Sequence, residues 1–191
     1  LGRLVLLCFI LFLSMSSLAF SQSVKDMSSL HYIYLGPVLS MSYDKVEYKD
    51  WFETEQGTKN MTGTSFGGGA ALNIFVNNYC GDFQLKYMRS ELDFSLNFLE
   101  VLLQGKYLWQ LNQIIAIGAG LGLYSELAPF QSGYKGGAGV QIPLTVVFTG
   151  SSFWKVLWDV YGRYGAFGKG VGSSRISIGS NLGIVFRVGR I

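Results

Sequence analysis

The chain has 191 residues, one domain's worth, of which 49% are hydrophobic, 15% aromatic and only 14% charged. That charged share lies well below the roughly one quarter usual in a soluble domain. The net charge of +3 is spread over isolated Lys and Arg residues, which excludes the dense basic patch of a nucleic-acid binder.

The N-terminus reads as an export signal. Arg3 is followed by an apolar stretch, Leu4 to Leu13, by Ser14 to Ser17, and by small residues at Ala19 and Ser21. This pattern predicts a signal peptide over 1–21, cut after Ser21, because the apolar stretch is short for a spanning helix. A lead over 22–30 and a single barrel domain over 31–191 follow. Cleavage removes Cys8 and leaves Cys80 alone, so no internal disulfide framework is expected.

After Gln22 no apolar run approaches the roughly 18 residues of a membrane helix. The chain instead alternates with period two, as strands do. Ile33, Leu35, Pro37, Leu39, Met41 and Tyr43 share one face of a first strand, opposite Tyr34, Gly36, Val38, Ser40 and Ser42. The pattern recurs over 65–76, 82–88, 99–107, 115–124, 137–146, 155–164 and 176–188. This predicts an all-β fold of eight strands, each near the roughly 9 to 11 residues that a tilted strand needs to cross a bilayer.

The links between these segments alternate in length. Asp44 to Gly63 is long and polar, Asn77-Asn78 is tight, and Arg89 to Ser95 is longer. Gln110 to Gln113 is short, Ser125 to Gly133 longer, Thr149 to Ser152 short, and Gly165 to Ser173 glycine-rich. Strict alternation places the long links at one end of an antiparallel up-and-down meander, the asymmetry of a transmembrane β-barrel.

Charge decides which face points where. Within the strand bodies the apolar face carries no Asp, Glu, Lys or Arg, whereas the other carries Asp82, Lys86, Glu100, Lys106, Lys155, Asp159, Arg163 and Arg187. A soluble carrier such as a lipocalin would turn those charges outward. The charged face, however, is also the glycine-rich one, with Gly67, Gly69, Gly118, Gly120, Gly122, Gly139 and Gly179. Small residues suit a narrow interior and only weaken a solvated strand. The bulky Leu, Ile and Val face is satisfied by lipid.

Aromatic residues near the strand ends fit interfacial girdles: Tyr43, Phe66, Tyr87, Tyr134 and Tyr164 at one end, Tyr107, Trp109, Phe148, Phe153 and Trp154 at the other. Arg89, Lys135 and Arg175 are read as outer-end residues in reach of lipid head groups or water.

In its eight alternating segments and uneven links the sequence resembles the small eight-stranded bacterial outer-membrane barrels, the group of OmpA, OmpX and OmpW, and in size it leans towards OmpW. The resemblance covers the whole mature chain and rests on architecture, since no residue motif selects a subfamily. It implies localisation in the outer membrane, with outer-membrane lipid and the barrel-assembly machinery as partners and a monomeric state. It also implies uptake of small hydrophobic molecules, as for relatives of OmpW. The chain departs from the group in ending on Ile191, where a terminal aromatic is usual.

Catalytic chemistry is not legible. His31 is the only histidine, and with Cys80 it makes no metal cluster. Gly118-Ala119-Gly120-Leu121-Gly122 lacks the spacing of a dinucleotide loop, and Gly170 replaces the Ser or Thr that a phosphate loop needs after Lys169. No enzyme activity, metal or cofactor is therefore expected. The eight interior charges are expected to form a lumen charge network, as a plug or as a polar path.

Two functions remain open. One is a narrow channel or transporter for small, hydrophobic molecules, with Leu127-Ala128-Pro129-Phe130 as an apolar loop. The other is a non-transporting, surface-exposed barrel with an occluded lumen that binds a host molecule through the first loop, where Tyr48, Trp51 and Phe52 stand among charges.

Overall fold

The computed structural model describes residues 31–49, 58–92, 95–128, 136–167 and 173–190. The expected signal peptide, the lead, Trp51, Phe52, Pro129, Phe130, Tyr134 and Lys135 lie outside the described residues.

Eight strands form in the predicted order: β1 (Tyr32–Lys49), β2 (Thr58–Val76), β3 (Tyr79–Glu91), β4 (Ser95–Gln110), β5 (Ile115–Leu127), β6 (Gly137–Thr149), β7 (Trp154–Phe167) and β8 (Ser174–Arg190). Each pairs antiparallel with its sequence neighbour, and β8 closes on β1, so the sheet is a barrel without an edge. Closure satisfies every ladder within the sheet, which a backbone in hydrocarbon requires.

The face assignment holds throughout. Leu39, Met41, Leu121 and Ile178 are each more than 60% exposed, while Lys86 and Glu100 are fully buried. A molecule with its aliphatic side chains outside and its charges inside is a transmembrane barrel. On β1 the outward apolar run goes from Ile33 to Tyr43. At 3.3 Å per residue it covers about 33 Å of strand, which a tilt near 40° reduces to the ~25 Å of an apolar belt.

The strands are longer than alternation predicts, from 13 to 19 residues. Beyond Tyr43 the outward positions become polar, with Lys45, Thr62 and Thr64 exposed. Pairing nevertheless continues from Asp44 opposite Gly63 to Lys49 opposite Thr58. Hydrophobic alternation ends where lipid ends, but the ladder does not, so the expected long loop 44–63 is mostly hairpin.

Link lengths change accordingly. The link between β3 and β4 is only three residues, 92–94, shorter than the four-residue links 111–114 and 150–153 at the opposite end. The strict long–short alternation is thus corrected at that hairpin. Local chemistry shapes the short links. Asn77 takes φ +52°, a left-handed conformation that asparagine tolerates, and Asn112 Oδ1 accepts the N–H groups of Ile114 and Ile115 at 2.8 Å each.

The two strand prolines sit at interruptions. Pairing of β1 with β8 skips Gly36 and Pro37, and pairing of β5 with β6 skips Ile142 and Pro143. A proline has no N–H to offer the ladder, and these are the seams where none is used.

Candidate functional site in the barrel lumen

The interior is built by register. Lys86 lies directly opposite Glu100, Asp82 opposite Gln104, Gln141 opposite Arg163 and Thr145 opposite Asp159. Large inward side chains also lie opposite glycine on the next strand: Lys86 on Gly69, Lys106 on Gly120 and Arg175 on Gly165. A Cβ on Gly69 would run into the Leu85 carbonyl, and one on Gly120 into the Gly105 carbonyl. Lipid-facing Gly105 and Gly162 have nothing within 4 Å of such an atom. At Gly69 and Gly120 glycine is required because the backbone of the next strand lies too close on the inner side of the sheet to admit a Cβ.

The charges form three trios stacked along the axis. Nearest the short-turn end, Lys106 Nζ bridges Asp82 at 2.9 Å and Asp159 at 2.8 Å. Gln84 Nε2 donates to Asp82 at 2.8 Å, Gln104 Nε2 donates to Asp82 at 2.7 Å, and Thr145 Oγ1 donates to Asp159 at 2.7 Å. In the middle, Glu100 stands between Lys86 at 2.7 Å and the guanidinium of Arg163, which grips both carboxylate oxygens at 2.5 and 2.7 Å. Gln141 accepts from Arg163 and donates to Gln104 at 2.9 Å, joining the two trios. At the other end Arg175 bridges Asp44 at 2.7 Å and Glu126 at 2.6 Å, with the Ser65 hydroxyl donating to Asp44.

Aromatic faces complete the coordination of the arginines. The Arg163 guanidinium lies 4.3 Å from the Tyr161 ring centre and 4.8 Å from that of Tyr124, and Arg175 lies 5.6 Å from that of Phe98. Among the described residues ten charges are buried, and the five acids and five bases balance in sign. Burial this deep is costly for an ion unless it is paired and hydrogen-bonded, and nine of the ten are in ion pairs.

Six of the residues singled out from the sequence are joined in this column: Asp82, Lys86, Glu100, Lys106, Asp159 and Arg163. Two stand apart from it. Lys155 donates to Thr149 Oγ1 at 2.9 Å and faces the rings of Tyr34 and Phe75. Arg187 is only half-buried at the barrel rim, its guanidinium 5.1 Å from the Tyr32 ring centre. Both sit at the short-turn end, below the level the trios reach.

Three members of the column are not evident from the sequence. Asp44 and Glu126 are expected in loops and Arg175 at the outer surface, yet all three are buried in the lumen. Extending the inward parity of Ser42 to 44, of Tyr124 to 126 and of Ser177 back to 175 finds them. Tyr48 pairs with Lys59 near the tip of the β1–β2 hairpin.

Apolar clusters close the column at both ends. Tyr34, Val38, Ala71, Phe75, Cys80 and Leu108 belong to the cluster at the short-turn end, and Val46, Met61, Met88, Leu96 and Phe98 to the other. The cavity among Asp82, Gln84, Asp159 and Asn181 measures about 10 Å³, room for at most one water. Among the described residues no group of three His, Cys, Asp or Glu side chains is arranged to hold a metal.

No protein-family model matches the sequence, and no curated protein matches it. Among solved structures the chain is similar to Neisserial surface protein A, at 14% identity and a TM-score of 0.47, covering 82% of this chain and 97% of that one. It is also similar to Ail, the attachment invasion locus protein of Yersinia pestis, at 16% identity and a TM-score of 0.39, covering 84% and 100%. De novo designed transmembrane β-barrels overlap at 14% identity and a TM-score of 0.34, covering 86% and 100%. At such identities and scores, what the lumen does must follow from its own residues.

Proposed function

We propose that this chain is an integral barrel of the bacterial outer membrane with a closed lumen, a non-enzymatic, surface-exposed protein that conducts nothing through its centre. The observation carrying this reading is the column of buried ion pairs, with apolar side chains at each end. Opening a path would require breaking paired charges in a low-dielectric interior. Each such break costs about 3–5 kcal/mol when a charge is left without its partner.

The work of the protein then falls to its ends. The β1–β2 hairpin carries its pairing to Lys49 and Thr58, beyond the apolar belt, and the sequence between them, 50–57, holds Trp51 and Phe52. This segment is the proposed contact for a host molecule, and the aliphatic exterior the contact for lipid. Insertion by the outer-membrane assembly machinery belongs to the same reading.

Planar-bilayer recording on the refolded chain tests it. No unitary current is expected at ordinary membrane voltages. Discrete conductance steps would overturn the closed lumen and restore the transport reading. Excising 50–57 should abolish surface binding by cells that display the barrel, while leaving the heat-modifiable folded form intact.

A further inference from the structure

Among the described residues, Lys155 is the one buried cation outside the trios. Lys106 is shared by two carboxylates, Glu100 by two cations, and Arg175 by two carboxylates. Lys155 is only 5% exposed, yet it forms no ion pair with any described residue. One of its three N–H donors goes to Thr149 Oγ1. The Tyr34 and Phe75 rings, at 5.5 and 5.3 Å, attract the ammonium but bring no negative charge.

Beside it, at the short-turn end, lies a cavity of about 50 Å³. Lys155 and Thr149 share its wall with Asn77, Asn78 and Gln110, and Leu108 and Val147 supply apolar surface. No acidic residue lines it. The volume exceeds one water severalfold, and its wall combines the Lys155 ammonium with the Thr149 hydroxyl beside it. A buried ammonium with unused donors, facing such a space, calls for a counter-ion.

We infer that this cavity is a binding site for a small oxyanion, a carboxylate or phosphate, held by the Lys155 ammonium and Thr149. Lys155 points into the lumen beside Val185 and Leu157, so lipid head groups do not reach it and the anion comes from solution. The apolar cluster above Lys155 separates the site from the column. Anion binding at this mouth is therefore independent of whether the lumen conducts.

The test uses the full chain folded in detergent micelles with lysine side chains isotopically labelled. Inorganic phosphate is titrated against chloride at fixed pH and ionic strength. The Lys155 side-chain resonance should shift saturably while that of exposed Lys45 stays still. The unfolding temperature should rise with phosphate, and Lys155→Met should remove that rise. Should Lys155→Met fail to fold, the wild-type comparison of Lys155 with Lys45 decides alone, and Thr149→Val should weaken the saturable shift several-fold. A linear drift common to both lysines, or no shift at Lys155, overturns the site. Acetate in place of phosphate shows whether a carboxylate is also held.

Discussion

Glu100 on β4 and Arg163 on β7 meet across the barrel, not along a ladder, with each terminal guanidinium nitrogen donating to one of the two carboxylate oxygens. Their strands are not neighbours, so this contact ties opposite walls together, and Lys86 completes it from β3. Replacing Glu100 by Gln keeps the shape and leaves two buried cations without an anion. Glu100→Gln should lower stability by about 3–5 kcal/mol, read from urea-induced unfolding in lipid vesicles. A loss under about 1 kcal/mol would mean that water reaches this trio.

The glycines of the two faces should behave oppositely. Gly69→Val and Gly120→Val place a side chain where a neighbouring backbone carbonyl already lies. Neither should yield the compact form that migrates faster before boiling. Gly105→Ala, on the lipid face with open space around it, should fold like the wild type, within about 0.5 kcal/mol.

Leu121 lies midway along β5 and is 62% exposed. Leu121→Arg should cost about 2–4 kcal/mol in a bilayer, the range for a cation at the midplane. Thr62→Arg, outward but above the girdle of Tyr43 and Phe66, should cost little. Equal penalties at the two positions would show that the apolar belt does not end where these aromatics stand.

The tight link between β2 and β3 depends on one backbone conformation. Asn77→Val, at φ +52°, should destabilise by about 1–2 kcal/mol, because a β-branched residue is strained in the left-handed region. Asn77→Gly should be neutral or slightly stabilising. Unfolding midpoints of the two variants, measured side by side, check the sign.

Much of this was readable one residue at a time. The parity that sets Leu39 outward and Ser40 inward is a property of each strand alone, and it assigned the faces correctly along all eight. The same parity also holds at Asp44, Glu126 and Arg175, but there it is hard to see, because its visible sign is a hydrophobic outward neighbour. At Asp44 and Arg175 the next outward residues are Lys45 and Ser174, so the sign vanishes although the strand goes on; at Glu126 the polar Ser125 interrupts it, although Leu127 beyond is again outward. Lys155 and Arg187 show the opposite error. Their inward parity is right, but parity carries no height, and both lie below the trios.

The amino-acid sequence by itself determined that the chain would form a closed antiparallel meander with a charged inside and an aliphatic outside, because period two and turn chemistry are local. Only the tertiary structure decided which charge meets which. The pairing of Arg175 with Asp44 and Glu126, or of Lys106 with Asp82 and Asp159, depends on how far each strand is staggered when β8 closes on β1. That stagger is a collective property of strand number and tilt, and no single segment encodes it.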